Sequence, residues 1–149
     1  MPKRKSLIAG VDYPGISLVH FCHDGKGNFL MHKRGQNARD EHGSWDIGGG
    51  ELEFGDFVID RLRREILQEY LTNVLDYEYL GYRDVHRVHK GKLTHWVAHD
   101  FKVLVDRKRT DNGEPNKFDE VGWFNKNRFP SPLHSQFPGF LDKYRLKLF

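Results

Sequence analysis

Three consecutive glycines, Gly48-Gly49-Gly50, restrict this chain more than any other feature. Residues without a Cβ are poor formers of regular structure and good at letting other groups approach the backbone closely. The triplet follows Trp45-Asp46-Ile47, which reads as a short strand, and it reads as a loop itself. An acidic stretch with Glu51, Glu53 and Asp56 comes next. Over residues 57–70, Val58, Ile59, Leu62, Ile66 and Tyr70 then recur at spacings of three and four. That period gives a helix with one apolar face, and Asp56 is placed to cap its start.

The remaining elements follow from shorter patterns. Residues 16–23 and 28–33 read as strands joined at Asp24-Gly25-Lys26-Gly27, since Asp-Gly turns tolerate positive φ. Residues 74–84 and 93–105 read as long strands around Lys90-Gly91-Lys92, with Val97, Phe101, Val103 and Val105 giving the second its half-buried pattern. Glu120–Phe124 reads as a short strand, and residues 136–147 as a closing amphipathic helix. Strands come in hairpins and helices stand apart, so the expected class is α/β in the α+β sense. One domain over residues 1–149 is expected, with 1–14 as a solvated arm that begins in a basic run.

Composition narrows the function classes. Aromatic residues make up 13% of the chain, which a disordered chain does not reach. Cys22 is the single cysteine, so there is no internal disulfide framework or multi-cysteine zinc module, and a cytoplasmic setting is expected. It lies on an apolar strand and reads as core rather than nucleophile. Apolar runs are too short for a membrane helix. A net charge of +3 gives no reason to expect a nucleic-acid partner and suits a small anionic ligand.

The chemistry sits on the first helix. Glu65 and Glu69 are four apart and share a face, with Gln68 beside them. Clustered carboxylates repel unless a cation separates them, and a hard divalent ion with oxygen ligands does so. Glycines before the helix admit backbone carbonyls and N–H groups to a metal or a phosphate. Arg64 is placed to neutralise or orient a neighbouring carboxylate. The bland alternative for such a run is a solvated helix face.

Residues 50–72 resemble the box of the Nudix (MutT-like) family, G-x5-E-x7-R-E-U-x-E-E-x-G-U. Gly50, Arg64, Glu65, Ile66 and Glu69 match it. Asp56 stands for a Glu, Gln68 for the first Glu of the pair, Leu71 for the Gly and Thr72 for the last aliphatic residue. The resemblance extends over residues 15–146 through the order of the surrounding elements. It implies a mixed sheet sandwiched between helices, and hydrolysis of a nucleoside diphosphate linked to another group with Mg²⁺ or Mn²⁺. Carried over, Glu65 and Glu69 are metal ligands, joined by the Gly49 carbonyl and by Gln68 as a neutral oxygen. Arg64 would orient Glu65, and Asp56 would brace the loop. The base would be Glu65, Glu69 or Glu120. A homodimer is the assembly it suggests.

Lys33-Arg34, Gly43-Ser44-Trp45, Leu52–Gly55 and Glu114–Lys117 followed by Trp123 look like the branch that converts nucleoside triphosphates to monophosphates and pyrophosphate. Substrate contacts would then be Lys33, Arg34, Trp45, Gly49 and Gly50. The bland readings are an exposed strand end for Lys33 and Arg34, and core positions for Trp45 and Trp123. The alternatives are a hydrolase of another diphosphate-linked compound, such as a nucleotide sugar or an ADP-ribose type, and a nucleotide-binding module weakened by Gln68 and Leu71. His86, His89, His95 and His99 crowd two strands and read as polar strand faces or substrate contacts rather than a zinc site.

Overall fold

The computed structural model describes residues 6–149. Its elements are strands β1 (Gly15–His23), β2 (Asn28–Arg34), β3 (Trp45–Asp46) and β4 (Gly48–Glu51), helix α1 (Val58–Tyr70), strands β5 (Val74–His89), β6 (Lys92–Val105) and β7 (Phe118–Asn125), and helix α2 (Phe137–Leu148). They build one mixed sheet in the order β3-β2-β1-β6-β5, with β4 paired to β1 and β7 to β2. β1 and β6 run parallel, and the other pairs are antiparallel.

A helix covers each face of the sheet, as expected. Strand alternation explains the division. Leu18 and Cys22 of β1 pack with Leu62, Ile66 and Tyr70 on the α1 face. Phe21 packs with Phe137, Phe140 and Tyr144 on the α2 face. Cys22 is fully buried and belongs to the core.

Three local expectations need correction. The glycine triplet is a strand rather than a loop: Gly48, Gly49 and Gly50 pair with His20, Val19 and Leu18. The reason is that β1 joins β2 only at His23↔Phe29, which leaves the edge from Ser17 to His20 to be satisfied. Phe57, not Asp56, is the N-cap of α1, and it makes no side-chain cap hydrogen bond. The Asp56 carboxylate instead accepts from the Glu53 amide at 2.9 Å and braces the turn. Of the expected arm, residues 1–5 lie outside the described residues. Residues 8–13 form a turn docked on β6, where the Gly10 carbonyl accepts from His95 N at 2.8 Å.

At Leu71 the chain leaves α1 in the left-handed region, with φ of 55°. Glycine is the usual residue there because it carries no Cβ penalty. Thr72 is buried, and its hydroxyl donates to the Asp106 carbonyl at 3.1 Å.

No helix among the described residues is long and apolar enough to cross a membrane.

Candidate active site

Because β4 pairs on one side only, its other edge opens onto a cavity of about 760 Å³. That volume suits a small-molecule site. The glycines bring α1 against this edge. A Cβ on Gly50 would lie 2.4 Å from the Glu65 carboxyl carbon, and one on Gly48 would lie 2.4 Å from Glu69 Oε2. Both carboxylates therefore rest directly on the strand. Gly49 N donates to Glu69 Oε1 at 3.2 Å.

The two carboxylates are nearly buried, at 7% and 6% exposure. Burial, and then the charge of Glu69, push the Glu65 carboxyl above its ordinary range. Arg61 answers part of this repulsion, its Nη2 lying 2.6 Å from Glu65 Oε1. Glu69 Oε2 is buried and has no hydrogen-bond partner among the described residues. His20 Nε2, 3.5 Å away, is in the same condition. Burial disfavours a charged His20, but the Glu69 carboxylate and Cys22 together outweigh it and raise its pKa to about 10. An unsatisfied carboxylate oxygen at such a depth is costly, and a divalent cation with oxygen ligands is the partner that fits it.

Gln68 faces the cavity, and its Nε2 donates to Glu114 Oε1 at 3.0 Å. The Glu114 segment is tied to the end of α1 by Asp111 N to Tyr70 O and Gly113 N to Glu69 O, both at 2.9 Å. Gly113 is required for this approach, since a Cβ there would sit 2.1 Å from the Gln68 carbonyl oxygen. A carboxylate thus stands next to the position where the box has lost one. The sequence marked Glu114 only as part of Glu114–Lys117, a segment resembling one branch of the family; nothing local announced its contact with Gln68, 46 residues away. Arg61 did carry a signal, the i,i+4 spacing to Glu65.

Several expected roles move. Arg64 does not touch Glu65; it is exposed and binds Asp56 Oδ1 at 2.9 Å. Lys33 and Trp45 are cross-strand partners, one residue out of phase with His32 and Asp46, which border the cavity. They therefore point away from it. Trp45 packs edge-on against Phe124 at 5.1 Å. Lys33 reaches Glu120 at 3.9 Å across the β2–β7 pair, and Glu120 is exposed outside the cavity. Trp123 lies under Arg107 at 5.1 Å, outside the cavity as well. Arg34 does border it, but Asp40 and Asp46 at 3.1 and 3.7 Å already engage its charge. Arg39 and Lys117 border it without a salt bridge to any described residue. Of the histidines, His95 binds Asp84 at 3.0 Å and His99 binds Tyr79 at 2.8 Å as polar strand-face pairs, while His89 reaches the cavity.

A second acidic group, Asp40, Glu41 and His134, has metal-like spacing. It is already satisfied. Glu41 accepts from Ser135 N and Oγ at 2.8 Å each, lies 2.8 Å from His134 Nε2, and accepts from Arg87 at 2.9 Å.

Comparison with known proteins agrees with this geometry. The NUDIX domain model matches residues 14–144. No curated protein matches. Among solved structures, the MutT NUDIX hydrolase of Burkholderia pseudomallei superposes with a TM-score of 0.75 at 24% identity, covering 87% of this chain and 97% of that one. A MutT protein from Methanosarcina mazei Go1 gives 0.72 at 21%, covering 90% and 95%. The NUDIX domain of Shewanella oneidensis NrtR complexed with ADP ribose gives 0.71 at 13%, covering 91% and 89%. With the glycine strand, the paired helix carboxylates and a family match over most of its length, the chain belongs to the NUDIX domain family.

Proposed function

We propose that the protein is a Mg²⁺- or Mn²⁺-dependent hydrolase that converts a nucleoside triphosphate to a monophosphate and pyrophosphate. The observation that carries this is the buried Glu69 oxygen without a partner, next to Glu65 and on the rim of a nucleotide-sized cavity. Glu65 and Glu69 would hold the ion, with the Gly49 carbonyl and Gln68 as neutral oxygens. When bound, a divalent ion offsets charge on the diphosphate oxygens and makes a bound water more acidic.

The chain's own residues do the rest. Arg61 fixes the Glu65 carboxylate. His20 supports Glu69 from inside the sheet. Arg39 and Lys117, exposed at the rim, meet phosphate charge in place of Lys33. Glu114, held by Gln68 and free of any cationic side chain among the described residues, accepts the proton of the attacking water. The alternative substrate, another nucleoside diphosphate-linked compound, is favoured by the fold shared with an ADP-ribose complex.

Product analysis separates the two. Nucleoside triphosphates and diphosphate-linked compounds are incubated with and without Mg²⁺. Metal-dependent pyrophosphate release from triphosphates is expected. Cleavage of linked compounds alone would move the protein to the alternative, and no turnover with either would refute a hydrolase.

A further inference from the structure

The β5–β6 hairpin turns one face to the cavity, through Val85 and Arg87 of β5 and Thr94 and Trp96 of β6. Alternation sends Asp84, His86 and His95 to the other face. His86 and His95 stand directly opposite one another in the register. The His95 amide donates to the Gly10 carbonyl at 2.8 Å, away from β5. The two residues are therefore a non-hydrogen-bonded pair, the kind in which facing Cα atoms and their side chains come closest. Their ring centres are 4.3 Å apart, with the planes inclined by 47°.

The two rings are finished differently. Asp84 Oδ1 lies 3.0 Å from His95 Nε2. A carboxylate only accepts, so in the neutral ring it fixes the hydrogen on Nε2 and leaves Nδ1 with the lone pair. A carboxylate behind one ring nitrogen is the usual support of a histidine that ligates a metal through the other. His86 is exposed, and neither of its ring nitrogens has a hydrogen-bond partner among the described residues. By contrast His99, further along the same face, is bonded to the Tyr79 hydroxyl at 2.8 Å.

Two facing imidazoles add little to a sheet by themselves, and they repel when both are protonated. An ion that prefers imidazole reverses this. Bonds of about 2.0–2.1 Å at tetrahedral angles need nitrogens about 3.3 Å apart. Rings with centres 4.3 Å apart give that spacing once the exposed His86 side chain rotates.

We propose that His86 and His95 bind a transition-metal dication of the Zn²⁺ or Ni²⁺ kind, with Asp84 holding the His95 ring and water completing the shell. Imidazole nitrogen selects these ions over Mg²⁺, which keeps to oxygen ligands. This site and the Glu65–Glu69 site therefore take different metals. The consequence is mechanical. β5 is the last strand of the sheet, and the ion clamps it to β6 directly behind the wall of the cavity. The site needs no substrate, and it stands apart from the hydrolase reading.

The test is calorimetric titration of the untagged chain with Ni²⁺. The native chain should take up the ion. His86→Gln and His95→Gln should each lower the affinity at least about tenfold, no less than the loss of a supporting residue costs. Asp84→Asn should weaken binding by less. Glu69→Gln and Glu41→Gln should bind as the native chain does. His86 is exposed, so its variant keeps the fold, which circular dichroism checks. Amide hydrogen exchange reads the clamp: Ni²⁺ should slow exchange over residues 84–95 in the native chain and not in His86→Gln. No uptake of Ni²⁺, or native affinity in both histidine variants, overturns the proposal. Loss in Glu41→Gln or Glu69→Gln, with the histidine variants unaffected, would place the ion in one of the acidic clusters and overturn it as well. Binding at the histidines with exchange unchanged would refute the clamp.

Discussion

The molecule holds two acidic clusters of similar size, and they are finished differently. At Asp40, Glu41 and His134, Arg34, Arg87 and Ser135 occupy the carboxylates at hydrogen-bond distance. At Glu65 and Glu69 two cations stand near, Arg61 at 2.6 Å from Glu65 and the His20 ring at 3.5 Å from Glu69, but the buried Glu69 Oε2 has no hydrogen-bond partner among the described residues. The first cluster therefore acts as a clasp. It ties the β2–β3 loop to β5 and to the segment before α2. The second keeps a buried carboxylate oxygen unsatisfied, and a fold keeps such an oxygen where another ion is to arrive. Proximity of acids alone does not separate the two cases. The count of satisfied oxygens does.

Breaking the unsatisfied cluster should have the largest effect. Glu69→Gln keeps the shape and removes the charge, and turnover should fall by on the order of 100-fold or more, beyond what loss of a supporting residue costs. Steady-state rates against Mn²⁺ concentration, with circular dichroism to confirm the fold, would show it. An unchanged rate would remove Glu69 from the site.

Glu114→Gln sharpens the division of labour within that cluster. Loss of a general base should lower kcat by about 100-fold and leave the metal concentration for half-maximal rate nearly fixed. Gln68→Glu should act in the other direction, lowering that concentration by adding a carboxylate beside Glu69. A flat metal titration would mean that position 68 faces Glu114 alone.

The satisfied cluster should respond in stability instead. Glu41→Gln weakens its bonds to His134, Arg87 and Ser135. The expected loss is about 1–3 kcal/mol in urea unfolding, with the metal titration unmoved. A shifted metal titration would erase the distinction between the clusters.

His32 supplies a pH test of the buried layer beneath the cavity. It stacks on Phe118 at 3.7 Å and pairs with the Tyr70 hydroxyl at 2.7 Å. Burial, then the Arg34 charge, lower its pKa to about 3 from an ordinary 6.5. The unfolded chain therefore binds one more proton between those values. Its stabilisation is whole above pH 6.5 and declines as pH falls toward 3, by at most about 1.4 kcal/mol per pH unit. His20, raised to about 10, is protonated in both states below pH 6.5 and adds no slope there. Urea unfolding at pH 5 and pH 7 for the native chain and His32→Gln checks this; the variant should show the shallower dependence.

The smallest effect belongs to the box position outside both clusters. Leu71→Gly relieves a side chain from the left-handed region, where 52% of Leu71 is exposed and little packing is lost. A gain on the order of 0.5 kcal/mol is expected in the same unfolding assay. A loss would show that Leu71 packs better than its exposure suggests.

What could be read from the sequence follows from the range of each interaction. Both helices were legible because an apolar period is local, and the pairing of Glu65 with Glu69 follows from the same period. The Arg61–Glu65 pair obeys it too, although the family resemblance points to Arg64. The strand character of Gly48–Gly50 was hidden because it depends on the open edge of β1, about thirty residues upstream. Lys33, Trp45 and Glu120 were misplaced by a single step of strand phase, which inverts the face a side chain occupies. Glu114 stood out only as part of a branch-like segment; its contact with Gln68, like those of Arg83 and Tyr144 with Asp100, joins distant segments and left no local pattern to find.

The most direct measurement is Mn²⁺ binding without substrate, followed by electron paramagnetic resonance of the free ion. The native chain should take up Mn²⁺, Glu69→Gln should lose at least about tenfold in affinity, and Glu41→Gln should bind as the native chain does. Native-level binding by Glu69→Gln, with loss in Glu41→Gln, would place the ion in the other cluster and contradict the assignment of the site.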